Sequence, residues 1–205
     1  MTNNVGLVCC YGFVGTQYGR SVLEMYGLSD YVNEILNFSP PKSNKINLLI
    51  LCGGKTRPDY PELSEAQTTL EEFGDQFSWT PTQVLLEEES TTTHGNIING
   101  FAKLVKDVDN KTIEFDYEND TIFIFCDRFR EWKVKFIAWI LFRGLGISYK
   151  VVACNRKDTN PKSSLLFQST AGLILTLKDS AFLSSVRSAR LRYNLISNRM
   201  REIIG

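Results

Sequence analysis

Histidine is nearly absent from this chain: it has one, alongside five cysteines and six prolines in 205 residues. No Cys-x-x-Cys pair occurs, and no cysteine stands at ligand spacing from His94. A tetrahedral zinc set is therefore excluded, although carboxylates could hold a hard cation weakly. Net charge is also lacking, since 23 basic residues balance 23 acidic ones. No overall field draws such a chain to nucleic acid or to an anionic membrane. Long hydrophobic runs are missing too. The longest apolar windows, near 136–142 and 173–177, fall well below the ~18 residues of a membrane helix. Met1 to Asn4 carry no basic cluster, so the short apolar stretch after them reads as a strand and not as a secretory leader.

The chain does hold enough apolar residues, 43%, for one core of ordinary size. Cys9, Cys10, Cys52, Cys126 and Cys154 all lie in or at the end of apolar, β-type runs. They read as small core residues, and the odd count argues against a disulfide scaffold. The expected location is the cytoplasm or another reducing intracellular compartment.

Five β-branched runs recur, at Val5–Cys10, Ile46–Cys52, Gln83–Leu86, Thr121–Cys126 and Ser148–Cys154. Helical spacing separates them at Ser64–Phe77, Asn96–Val108 and Trp132–Phe142. Continuously apolar strands alternating with helices predict an α/β, Rossmann-like parallel sheet of about five strands with helices on both faces. Asp107–Asp120, rich in acids, reads as a solvated excursion, and Asn155–Ser164, with Pro161, as a loop. The expected organisation is a domain over 1–160 and a C-terminal helical segment over 161–205.

In such a sheet ligands bind beyond the carboxyl ends of the strands, where helix N-termini present free N–H groups. Tyr11-Gly12 follows the first strand, Gly53-Gly54-Lys55-Thr56 the second, and Glu87 to Asn96 the third. The glycines allow backbone to approach a phosphate or carboxylate closely, yet neither glycine stretch is a GxGxxG fingerprint or a P-loop. Ser90, Thr91, Thr92 and Thr93 can cap a helix or bind a polar ligand. Glu65, Glu89 and His94 are the candidates for acid/base chemistry; His94 at a helix start also suits a cap or surface role.

Taken in order, Cys52-Gly53-Gly54, then Leu63-Ser64-Glu65-Ala66, then Glu89-Ser90-x-x-Thr93 and Asn96 resemble the YdcF, SanA and ElyC family, domain of unknown function 218. The run Ile122 to Arg128, followed by an apolar helix and Gly144-Leu145-Gly146, is similar to that family's next strand, loop and helix. The resemblance implies a Rossmann-like fold and a pocket holding Gly53, Gly54, Ser64, Glu65, Ser90, Thr93 and Asn96. It also offers S-adenosylmethionine as a ligand. Two positions depart from the pattern: Gly95 stands where an acid is usual, and Asp127-Arg128-Phe129-Arg130 where a histidine is usual. Their loss removes an acid/base pair and favours binding without catalysis.

The leading expectation is a domain binding an anionic, nucleotide-like molecule through Gly12, Gly53, Gly54, Ser64, Glu65, Ser90, Thr93, Asn96, Asp127 and Arg128, with Arg130 as the alternative guanidinium. The rival readings are a hydrolase or transferase on a phosphorylated or nucleotide-linked substrate, and a non-catalytic subunit of an assembly. Toward the C-terminus, Phe182, Val186, Ala189, Tyr193, Ile196, Met200 and Ile203 form one narrow apolar stripe, flanked by Arg187, Arg190, Arg192, Arg199 and Arg201. That pattern predicts a helix docked on the body of the fold, with Tyr193–Ile204 free to meet a protein partner or an acidic surface.

Overall fold

A computed structural model describes residues 3–12, 15–20, 22–40, 45–78, 83–155 and 180–204. The described chain runs β1 (Asn4–Cys9), α1 (Val22–Leu36), β2 (Ile46–Cys52), α2 (Glu65–Ser78), β3 (Gln83–Glu87) and α3 (Thr93–Asp109), then β4 (Thr121–Asp127), α4 (Glu131–Phe142), β5 (Ser148–Cys154) and α5 (Ser180–Ile204). All strand pairs are parallel, in the order β3-β2-β1-β4-β5. This is an α/β Rossmann-like arrangement, and the strand order reverses between β1 and β4, the place beyond whose carboxyl ends such sheets characteristically bind ligands; Tyr11 bridges the two ends there, its hydroxyl accepting from Asp127 N at 2.8 Å.

The central strands are apolar at almost every position because both faces are covered. Leu7 and Cys52 face α3, whose Gly100 lies so close that an added Cβ would sit 2.7 Å from Cys52 Sγ. Cys10 points to the opposite face, toward Thr69 of α2. On that side Tyr31 of α1 shares its one hydroxyl hydrogen between Cys9 O and Phe125 O, at 3.1 and 3.2 Å. All five cysteines are buried, and burial pushes the Cys9 and Cys154 thiols up to about 12. Among the described residues no helix is long and apolar enough to cross a membrane.

Three features differ from the sequence reading or add to it. Helix α1 was not among the expected elements, although Leu28, Tyr31, Val32 and Ile35, all buried, carry the i, i+3, i+4, i+7 spacing of a helix face. The acidic excursion is only partly solvated. Helix α3 continues through Asp109, Phe115 and Tyr117 are buried, and Asp120, 2% exposed, accepts from Asn3 N and Asp116 N at 2.7 Å each. Helix α5 lies on α3 and α4, because those two helices already cover that face of the sheet. Its Phe182 ring meets His94 at 5.4 Å and Tyr193 meets Phe101 at 6.0 Å. The boundary expected at 160/161 and most of the Asn155–Ser164 loop lie outside the described residues, as do the side chains of Ile196, Met200 and Ile203.

Candidate functional site

At the ends of β2 and β3 the polar groups bind one another. Gly53 N donates to Glu87 O and Gly54 N to Ser90 O. Glu65 N and Ala66 N donate back to Gly54 O and Gly53 O at 3.0 and 2.9 Å, so the first N–H groups of α2 are spent on the glycine turn. Ser64 Oγ accepts from Gln67 N at 2.9 Å, as an N-cap does, and donates to Glu88 Oε1 at 2.7 Å. Gly54 has no room for a side chain: a Cβ would sit 2.6 Å from Ser90 O and 2.7 Å from Glu88 O.

Glu87 anchors this web. Only 5% exposed, it accepts from Glu89 N at 2.8 Å and Ser90 N at 3.1 Å. Ser90 Oγ lies against both Glu87 Oε2 and Asn96 Oδ1. A serine hydroxyl has one hydrogen, so two acceptors overdraw it. Burial raises the Glu87 pKa from its ordinary value, against the hydrogen bonds from Ser90, Glu89 N and Asn99 that lower it; a proton on Glu87, or an Asn96 amide that presents its NH2 to Ser90, would each settle the count.

The ends of β1 and β4 are different. Lys133, in the first turn of α4, is 7% exposed. Burial first and the neighbouring Arg130 second depress its pKa. Among the described residues no hydrogen bond or ion pair engages it, yet Nζ is not sealed from solvent. Arg130 lies half-buried with its guanidinium carbon 4.2 Å from the Tyr11 ring centroid, a cation–π contact. Cys9 sits within the field of both cations. No side chain caps the N-terminus of α4, so its N–H groups add positive potential at the same place.

Glu65 borders this cationic crevice. It accepts from Thr56 Oγ1 at 2.9 Å and from the Gly12 N–H, while desolvation outweighs these bonds and the nearby Arg130 and Arg20 and raises its pKa. Gly12 takes φ +69, a left-handed conformation natural to glycine. Beside it lies a cavity of about 250 Å³ lined by Gly12, Arg20, Glu24, Thr56 and Arg57 among others. Arg20 Nη2 donates to Tyr11 O at 2.8 Å.

The residues singled out from the sequence thus divide into groups. Gly53, Gly54, Ser64, Ser90 and Asn96 share one end of the sheet but are occupied with each other. Gly12 and Glu65 line the crevice side. Asp127, 4% exposed, accepts from Phe129 N at 2.7 Å and caps the short turn Arg128–Arg130. Arg128 is exposed, which leaves Arg130 as the guanidinium in the crevice. Glu89 is exposed. Thr92 is the N-cap of α3, Thr93 opens that helix half-buried, and His94 packs on Phe182.

No family model, curated protein or solved structure matches the chain. The site therefore rests on its own geometry. Two of its residues escaped the sequence reading. Glu87 was one of three consecutive acids, and register alone decides which is buried. Lys133 sits in a nearly all-apolar helix, and a lone lysine there is the signal that could have marked it. A side chain at position 95 would crowd this site, since a Cβ on Gly95 would lie 3.0 Å from Ser90 Cβ.

Proposed function

We propose that the chain is a YdcF-like domain that binds an anionic, nucleotide-like molecule in the crevice between the ends of β1 and β4. One observation carries the reading: a buried lysine, Lys133, has a second cation beside it and no acidic partner among the described residues. Desolvation and the adjacent Arg130 disfavour its charged form although Nζ reaches solvent, and an anion at the α4 N-terminus would offset that cost. A phosphate-bearing nucleotide suits two cations better than S-adenosylmethionine, whose sulfonium and amino group would bring further positive charge.

Among the groups expected to do acid/base work, Glu65 alone borders the crevice, and its raised pKa supports the hydrolase or transferase reading as the second one. Thermal unfolding with ADP, inorganic pyrophosphate and S-adenosylmethionine tests the first. ADP and pyrophosphate should stabilise the protein, by about 2.7 kcal/mol at a hundredfold excess over Kd. Lys133→Met should abolish the gain while Lys150→Met, at an exposed position, should keep it. Absence of any gain, or a gain that survives Lys133→Met, sinks the proposal.

A further inference from the structure

The outer edge of β3 is open among the described residues, since β3 pairs only with β2. Glu87 turns its carbonyl inward to Gly53 N at 2.9 Å. Backbone groups alternate along a strand, so the N–H and C=O of Leu86 and Val84 face outward. Val84, Leu85 and Leu86 are all half-buried, and β3 carries no lysine or proline to discourage pairing.

From the Leu86–Glu87 end of this edge a groove of about 580 Å³ runs between α3 and α5. As a crossover helix, α3 returns antiparallel to β3, and α5 runs in the direction of α3, as the pairs His94–Phe182 and Phe101–Tyr193 require. The groove therefore has unlike ends. Exposed Glu88 and Glu89 stand at the carboxyl end of β3, and exposed Lys106 and Arg192 at the other. Ser184 and Ser188 of α5 line the side opposite the strand edge. From Ile98 to Lys106 the helix advances about 12 Å, the length of about four extended residues.

We infer that this groove takes an extended peptide segment of a partner protein, added antiparallel to β3, with a basic residue at its amino end and an acidic one at its carboxyl end. Both edges of such a backbone find partners, the β3 edge on one side and serine hydroxyls on the other. The antiparallel sense places positive charge at Glu88 and Glu89 and negative charge at Lys106 and Arg192. A second copy of β3 brings no basic residue to the acidic end, because its own sequence there begins Pro-Thr-Gln. The inference is independent of the anion crevice.

Fluorescence polarisation with labelled Lys-Val-Thr-Val-Glu and its reversal Glu-Val-Thr-Val-Lys reads this directly. The first peptide should bind about tenfold more tightly than the second. Lys106→Glu with Arg192→Glu should weaken the first by about tenfold or more and narrow the difference between the two. Leu86→Pro removes only an outward N–H, which an edge strand tolerates, and should abolish binding while the thermal transition stays cooperative. If Leu86→Pro does not fold, the charge reversals decide. Failure of both peptides to bind, equal binding of both, or indifference to the charge reversals overturns the inference. So does a dimer seen by light scattering that dissociates with Leu86→Pro, which would assign the edge to a second copy.

Discussion

Two neighbouring stretches of the same sheet edge treat their polar groups in opposite ways. Above β2 and β3, Gly54, Ser64, Glu87, Ser90 and Asn96 are bonded to each other, so removing any of them leaves a buried group unsatisfied. Above β1 and β4, Arg130 and Lys133 stand together against aromatic and thiol neighbours, and among the described residues no acid forms an ion pair with either, although Glu65 lies within the field of Arg130. The first arrangement holds loops in place, and the second stores an unmet electrostatic demand. Burial alone does not separate the two, since Glu87 and Lys133 are 5% and 7% exposed. What separates them is whether each charge or hydrogen has a counterpart within the chain.

Substitutions can sharpen or break this contrast. The largest effect is expected for Gly54→Ala, which drives a methyl into the backbone of Glu88–Ser90 and should lower stability by about 3 kcal/mol, read by urea unfolding. A loss below about 0.5 kcal/mol would mean that the web is loose. Lys133→Met should act in the other direction. Removing a charge that partial burial and Arg130 disfavour, while keeping its buried stem, should stabilise the ligand-free protein by about 1 kcal/mol. Destabilisation by this variant would show that the lysine has a structural partner, and the contrast would fall.

The smallest effect is expected for Glu87→Gln. An amide can reproduce the protonated carboxyl, accepting from Glu89 N and Ser90 N while donating to Ser90 Oγ, so stability at about pH 4, where wild type is protonated in both states, should change by less than about 0.5 kcal/mol. Its signature is in the pH profile. A carboxyl whose folded pKa is raised contributes stability that is complete below the unfolded value of about 4.3 and is lost as pH rises through the folded value. Wild type should therefore lose stability as pH climbs from about 4, and Glu87→Gln should lose less over the same range. Parallel profiles for the two proteins would show that Glu87 is ionised in the fold.

Much of the fold could be read from the residues because strand burial leaves a local record. The five apolar runs are β1 to β5 within a residue or so at each end, and Ser64 and the hydroxyl run before Asn96 mark the starts of α2 and α3. Helix α1 had the same kind of record in Leu28, Tyr31, Val32 and Ile35, but Gly27, Ser29 and Asp30 among them are poor helix formers and weaken the pattern. The site was less legible. Ser90, Asn96, Gly53 and Gly54 could be placed at the correct end of the sheet from their position after strands. Their mutual bonding could not, since it depends on the Gly54–Ser90 approach across two strands.

By itself, then, the sequence determined that this protein is a parallel α/β domain, since period and composition report burial residue by residue. Only the tertiary structure decided which of Glu87, Glu88 and Glu89 enters the core, which arginine after β4 turns over Tyr11, and that Lys133 has no counter-charge among the described residues. Each of these depends on strand register and on what a neighbouring element brings within a few ångströms, and electrostatic pairing is a property of that distance and not of position along the chain.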